Sequence, residues 1–241
     1  MTGTIINVTT VLVGGAIGSR LGHRLPRKLQ ETVMNGLGLM VIVLGISMAM
    51  DSQNLLIVMG SVLIGGVLGE WWRIEDGLER VGHWLENRFG RPDDVAEGRS
   101  ITRAFVTTSL LFCVGPLTIV GSILDGLTGN FQPLAIKSML DGFAALAFGA
   151  SLGPGVMFSA ASILIYQGGL TLLALIFGSS LTGITAETPA VIEMSATGGV
   201  LILGIGLILL EVKRIRVGNF LPALLIAPLI VVILQFFGVA F

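Results

Sequence analysis

Long apolar runs separated by short polar segments make up most of this chain. Most runs approach the ~20 residues that an α-helix needs to cross the hydrocarbon core of a bilayer. The pattern predicts eight membrane-spanning helices, at residues 4–21, 33–50, 54–70, 102–127, 133–151, 154–178, 194–211 and 217–238. Seven is the alternative count. We therefore expect an all-α polytopic membrane protein.

Composition supports this class. Hydrophobic residues make up 53% of the chain and charged residues 12%, whereas soluble domains carry about 25% charged residues. Such a chain cannot cover its own surface against water. Its single cysteine, Cys113, excludes an intrachain disulfide and a cysteine-based metal cluster. No basic tract indicates binding to nucleic acid.

Lysine and arginine fall almost entirely on one side of the eight-helix arrangement. Because these residues favour cytoplasmic loops, that side is predicted to be cytoplasmic and both termini to lie outside. The polar turns on the opposite side, at 51–54, 128–133 and 182–193, contain no basic residue. Lys137 is the exception. The cytoplasmic basic residues are Arg20, Arg24, Arg27, Lys28, Arg73, Arg80, Arg88, Arg91, Arg99, Arg103, Lys213, Arg214 and Arg216.

The segment 71–100 is the one long polar stretch, and its apolar residues recur near helical spacing. This spacing predicts an amphipathic helix lying at the cytoplasmic membrane surface. The apolar positions are Trp72, Ile74, Leu78, Val81, Leu85 and Phe89.

The two ends of the chain resemble each other weakly. "VLVGGAIG" at 11–18 aligns with "LIYQGGLT" at 164–171, and "ETVMNGLGLMVIVLG" at 31–45 aligns with "EMSATGGVLILGIGL" at 193–207. We therefore expect three-helix repeats at 1–70 and 154–241, inverted relative to each other, around a central helix pair at 101–153. Inverted repeats are typical of transporters. A chance match between glycine-rich segments is the alternative.

Two rows of small residues recur every fourth position along predicted spans, which allows helix backbones to approach closely. We expect both rows to pack helices within one protomer, with a face for homo-oligomer formation as the alternative. The rows are Gly14, Gly18 and Gly22, and Ser61, Gly65 and Gly69.

Charged residues inside the predicted spans mark a candidate site. A charge at the bilayer centre costs ~2.5 kcal/mol or more, so it needs a partner or water. Lys137 and Asp141 are four residues apart and therefore share a helix face. Ser122 precedes Asp125 by three residues, as Ser138 precedes Asp141, which predicts a hydroxyl beside each carboxylate. The short turn at 128–133 is expected to bring Asp125 close to Lys137.

A helix break is predicted at Gly115 and Pro116, near the centre of the fourth span. Proline has no N–H for the carbonyl of Phe112 and its ring clashes there. A broken helix exposes backbone groups that can line a binding cavity.

Uncharged polar groups could complete such a cavity, namely Gln167, Asn35 and Thr197. The alternatives are helix capping at the membrane rim for Asp125 and Lys137, and hydrogen bonding between helices for the uncharged side chains.

Three segments of the sequence resemble one known family. They are "CVGPLTIVGSILDGLTGN" at 113–130, "KSMLDGFAALAFGASLGPGVMFSA" at 137–160 and "YQGGLTLLA" at 166–174. The chain resembles the bacterial domain-of-unknown-function 554 membrane family over nearly its whole length. The resemblance implies a multi-pass protein of the bacterial inner membrane, loosely described as a transporter, and it implies no particular substrate or site residue.

We expect a secondary transporter or facilitator of a small polar solute or ion, coupled to a cation or to protons. A passive channel is one alternative, and a non-transporting scaffold acting through 71–100 is another. The chain has no Walker loop, zinc-protease motif or nucleophile elbow, so we expect no enzyme activity and no cofactor. The expected partners are the lipid bilayer and the solute.

Overall fold

The computed structural model describes residues 1–90, 100–176 and 185–238. Over these residues the chain is helical and has no β-strand. The α-helices are α1 (Thr2–Gly22), α2 (Arg27–Met50), α3 (Leu55–Trp72), α4 (Ile74–Phe89), α5 (Ile101–Cys113), α6 (Pro116–Thr128), α7 (Gln132–Leu152), α8 (Ser159–Ile176), α9 (Pro189–Leu209) and α10 (Ala223–Phe236), with 3₁₀ turns at Pro154–Phe158 and Val217–Phe220. Arg91, Arg99 and the end of the predicted 154–178 span lie outside the described residues.

The described helices confirm a polytopic membrane protein. Seven of them are long and apolar enough to cross a membrane, and the count becomes eight if α5 and α6 form one bent span. The predicted span 102–127 is this bent pair, with an angle of 64° between its halves.

The break between α5 and α6 lies at Gly115 and Pro116, as predicted. Gly115 has a φ of 141°, in the region that residues with a Cβ avoid. Pro116 is the first residue of α6, where a missing N–H costs no intrahelical bond and the fixed φ suits the start of a helix. The sequence therefore ends one helix and begins another within three residues.

The chain divides into two compact units built from alternating segments. Unit 1 contains α1, α5, most of α6, α7 and α8, and unit 2 contains α3, α9 and α10. Their segments are Met1–Leu37, Glu79–Cys113 and Leu117–Gly183 in unit 1, and Gly38–Leu78, Val114–Pro116 and Ile184–Phe241 in unit 2. Of the aligned segments, 11–18 in α1 and 164–171 in α8 both belong to unit 1, whereas 31–45 in α2 is divided between the units and 193–207 in α9 belongs to unit 2. The repeat itself, and the division of the chain at 70, 100 and 153, stay predictions.

In unit 1, α1 lies along α7 with their backbones in close approach. A Cβ atom at Gly14, Gly18 or Gly22 would collide with the carbonyl oxygen of Gly142, Leu146 or Ala150, respectively. Because the numbers of the contacting residues increase along both helices in the same direction, α1 and α7 run parallel. The first glycine row therefore packs within the chain, as expected.

In unit 2, the second small row faces the segment before and at the start of α10. A Cβ atom at Gly65 would collide with Ala223, and one at Gly69 would collide with the carbonyl of Asn219. The Ser61 hydroxyl is fully buried and donates to the carbonyl of Ile57 at 2.6 Å. This row also packs within the chain.

The predicted amphipathic segment forms α4, but its helix begins later than expected. Trp72 ends α3, and Arg73 adopts a left-handed conformation with φ of 55° between the two helices. Within α4, Leu85 is buried and the ring of Phe89 lies 5.2 Å from that of Phe158. Val81 is exposed. The apolar residues of α4 therefore divide between packing within the chain, at Leu85, and an exposed surface, at Val81.

Candidate functional site

A buried ion pair lies on the face of α7 that meets α1. Lys137 and Asp141, one helical turn apart, form a salt bridge between Nζ and Oδ2. Only 6% of Lys137 and 9% of Asp141 is exposed. The i,i+4 spacing predicted this pair, and burial in a membrane-spanning helix strengthens the attraction between the two charges.

The Lys137 ammonium has a second partner at the helix break. Its Nζ donates a hydrogen bond of 2.8 Å to the carbonyl oxygen of Phe112. In a continuous helix this carbonyl would accept from the N–H of residue 116, which a proline does not have. The lysine therefore satisfies the backbone group that the break leaves free.

Two fully buried amides extend the ion pair across three helices. Asn7 of α1 donates from Nδ2 to Asp141 Oδ2 at 2.9 Å and to Gln167 Oε1 of α8 at 3.0 Å. We call Asn7, Lys137, Asp141, Gln167 and the Phe112 carbonyl the polar cluster. All of its members belong to unit 1.

The polar cluster leaves two polar atoms without a partner. Because the Asp141 carboxylate only accepts hydrogen bonds, Asn7 must turn its NH₂ group towards it. Within the described residues, this orientation leaves the buried Asn7 Oδ1 with no hydrogen bond, and the buried Gln167 Nε2 also has none. Buried polar atoms are normally paired, so these two are available to a polar molecule.

Asp125 lies elsewhere in unit 1. Its Oδ2 accepts from the Gly3 N–H at 3.0 Å and lies 3.1 Å from the Met1 ammonium, and 4% of the residue is exposed. A carboxylate at this position is favourable because the N-terminus of a helix carries partial positive charge. The expected approach of Asp125 to Lys137 is not seen, and Asp125 instead caps the start of α1, as the capping alternative for this residue expected.

The two serines do not support the carboxylates. Ser122 Oγ donates to the carbonyl of Thr118 at 2.5 Å, and Ser138 Oγ donates to that of Leu134 at 2.6 Å. A hydroxyl inside an apolar helix bonds the carbonyl of the preceding turn when nothing nearer accepts its hydrogen. The expected contacts between serine hydroxyls and carboxylates are therefore not made.

Of the predicted uncharged residues, only Gln167 joins the polar cluster. Asn35 is exposed on α2. Thr197 is fully buried on α9, in unit 2, and its Oγ1 has no hydrogen-bond partner.

Sequence reasoning missed Asn7, although it joins the ion pair to Gln167. The available signal was an amide within the apolar run "TIINVTT", because polar groups in a membrane span are costly and need partners. Thr4 lies one turn earlier on the same face, is fully buried, and its Oγ1 also has no partner.

Glu193 is a further buried carboxylate, and the sequence marked it only as a repeat position. It is fully buried on α9 and accepts from Ser52 Oγ at 2.8 Å, from Gln53 N at 2.7 Å and from Asn54 N at 3.0 Å. These three donors form the turn between α2 and α3. Glu193 therefore fixes that turn within unit 2.

Comparison with known proteins agrees with the sequence resemblance. The profile of the family "Protein of unknown function (DUF554)" matches residues 2–232. The chain is 31% identical to "Uncharacterized membrane protein YdfK" of Bacillus subtilis (strain 168), over 100% of both chains. It is 32% identical to "Uncharacterized protein YqgA" of Escherichia coli (strain K12), over 93% of this chain and 94% of that protein. No solved structure matches the chain.

Proposed function

The chain belongs to the DUF554 family of membrane proteins, and we propose that it is a secondary transporter or facilitator of a small polar solute in the bacterial inner membrane. The polar cluster of unit 1 is the proposed solute site. One observation carries this proposal. The Lys137 ammonium bridges the Asp141 carboxylate and the Phe112 carbonyl, which Pro116 leaves without its helical donor.

Energetics favours a functional role for this bridge. An apolar pair of similar volume is often as stable as a buried ion pair, or more stable. Ionisable residues within membrane helices consequently tend to mark substrate or ion pathways. Broken helices with free backbone groups near the middle of the membrane are a recurring feature of transporter binding sites.

Coupling to an ion gradient is the second part of the proposal, and Asp141 is the proposed coupling group. Its Oδ2 contacts both Lys137 and Asn7, so a proton or cation arriving there would weaken both contacts. Asp125 has a different role in this proposal, because its carboxylate caps α1.

Flux across proteoliposomes tests the proposal. We expect purified protein to accelerate the osmotic re-swelling of vesicles with at least one solute from a panel of urea, glycerol, acetamide, glycine, sodium acetate and ammonium chloride. The acceleration should saturate with concentration. Accumulation of that solute under an imposed pH or sodium gradient should be lost in Asp141→Asn, while downhill exchange remains.

Asp125→Asn is the matched control, since the same chemical change falls on a capping carboxylate and should leave gradient-driven accumulation largely intact. Unitary currents in a planar bilayer would support a channel instead. Equal accumulation by Asp141→Asn and the parent protein would remove Asp141 from the mechanism.

A further inference from the structure

The buried charges of unit 1 already have partners. Among the described residues of this unit, the buried ionisable side chains are Asp125, Lys137 and Asp141. Lys137 pairs with Asp141, and Asp125 accepts from the Gly3 N–H. A charged solute would therefore find no free charged partner among these side chains, which is unfavourable in a low-dielectric site.

The buried atoms without partners in the same region are uncharged. Among the described residues of unit 1 they are Thr4 Oγ1, Asn7 Oδ1, Thr118 Oγ1, Ser151 Oγ and Gln167 Nε2. Ser151 is half-buried near the end of α7, whereas the other four residues are at most 1% exposed. Asn7 Oδ1 can only accept a hydrogen bond, Gln167 Nε2 can only donate, and the threonine hydroxyls can do both.

Three of the fully buried atoms belong to neighbouring residues of α1 and α8. Asn7 and Gln167 are hydrogen bonded to each other at 3.0 Å. Thr4 is one turn from Asn7 on α1, and a Cβ built at Gly168, next to Gln167, would lie 3.7 Å from Thr4 Cγ2.

Thr118 reaches the same region from α6. On α6 it shares a face with Gly121, three residues later, whose added Cβ would contact Leu134 of α7. Leu134 precedes Lys137 by three residues, so the face of α6 that carries Thr118 packs against α7 within one helical turn of Lys137.

From this arrangement we infer that the transported solute is electrically neutral and carries carboxamide or hydroxyl groups. A carboxamide or hydroxyl can donate to Asn7 Oδ1 and accept from Gln167 Nε2. A carboxylate alone cannot donate, and an ammonium alone cannot accept. The inference rests on the proposed function and narrows its substrate to one chemical class.

Three small probes of the same shape test whether the charge of the solute determines its flux. Acetamide is neutral, acetate carries a negative charge and acetamidinium a positive charge. Glycerol serves as the hydroxyl-bearing neutral probe. With an ionophore present in all vesicles so that counter-ions can follow, we expect the protein-dependent re-swelling rate, after subtraction of protein-free vesicles, to be at least tenfold higher for acetamide or glycerol than for either ion. Gln167→Leu should abolish the difference.

Thr118→Val separates a binding role from a structural one. Because the Thr118 hydroxyl has no partner among the residues that the structure describes, its removal should leave the melting temperature in detergent unchanged or raise it. The same change should lower the rate for the neutral probe roughly fivefold, as expected for one lost hydrogen bond. Thr108→Val is the control, since Thr108 is fully buried and its hydroxyl bonds the Ala104 carbonyl at 2.7 Å.

The outcomes distinguish the two proposals. Protein-dependent, Gln167-dependent flux of acetate or acetamidinium at the rate of acetamide overturns the neutral-solute inference and leaves transport standing. The absence of protein-dependent flux for both neutral probes also overturns it. If no solute of any charge moves, the proposed function fails as well. A Thr118→Val variant that melts earlier yet keeps its flux would make that hydroxyl structural.

Discussion

Lys137 is the residue that connects α7 to α5 directly and to α1 through Asp141. Its ammonium joins the Phe112 carbonyl of α5 to Asp141, and Asp141 in turn holds Asn7 of α1. Loss of the lysine leaves a buried carboxylate and a free carbonyl together. Truncating one partner of a buried ion pair typically costs about 3–5 kcal/mol, because the surviving charge stays unpaired.

We therefore expect Lys137→Met and Asp141→Asn each to lower the melting temperature in detergent strongly. The double variant should recover much of the loss, since no unpaired charge remains in it. The exposed pair Arg27 and Glu31, 3.6 Å apart with side chains 79% and 65% exposed, is the control. Its single and double variants should each change stability by only about 0–1 kcal/mol. Additive losses at Lys137 and Asp141 would contradict the coupling.

The sequence predicted those residues of the site that are determined by local spacing. Lys137 and Asp141 are four residues apart, and Pro116 frees the Phe112 carbonyl by its own chemistry. Asn7 was missed because it is 134 residues from Asp141, and no local pattern gives such a contact. Asp125 was assigned to Lys137 through a short turn, but the start of α1 offers it a backbone N–H instead.

At the scale of the helix, the break between α5 and α6 holds the Phe112 carbonyl free for Lys137. An alanine at 116 would supply a backbone N–H that competes with the lysine for this carbonyl. Pro116→Ala should therefore lower solute flux several-fold, with a melting temperature close to that of the parent, because the Phe112 carbonyl exchanges the ammonium for a backbone donor.

Pro228→Ala is the matched control for this change. Pro228 lies inside α10, in unit 2, and alanine there also restores a helical N–H. It should raise stability without a change in flux. Flux measured in vesicles and melting measured in detergent separate the two effects. A loss of flux in both variants would assign the effect to general helix stiffness rather than to the freed carbonyl.

The existence of the helices followed from hydrophobic patterning, whereas their grouping did not. Apolar runs specify where a chain can cross a bilayer, and the described helices confirm that class. The two units alternate along the chain, and only long-range packing determines this. The contact between Gly18 and the Leu146 carbonyl is an example. The sequence shows the glycine row of α1, but it does not show that α7 is the helix that packs against this row.

At the scale of the whole molecule, the parallel packing of α1 and α7 bears on the number of crossings. If α2 and α3 each cross once, α7 runs in the direction of α1 only when α5 and α6 together also cross once. The contacts of Gly14 with Gly142 and of Gly22 with Ala150 thus favour eight crossings. The turn between α6 and α7 would then lie on the same side as the turn between α2 and α3.

Cysteine labelling in intact cells tests this topology. In a Cys113→Ala background, we expect an impermeant maleimide to label cysteines placed at Asp51, Asn130 and Ala186, but to label one at Asn87 only after permeabilisation. All four positions are exposed, and they avoid the neighbouring Ser52 and Glu86, whose side chains are hydrogen bonded. Asn130 is decisive, because a re-entrant α5–α6 pair would place it inside. Protection of Asn130→Cys with labelling at Asp51→Cys would therefore reduce the count to seven, and labelling of Asn87→Cys in intact cells would invert the predicted orientation.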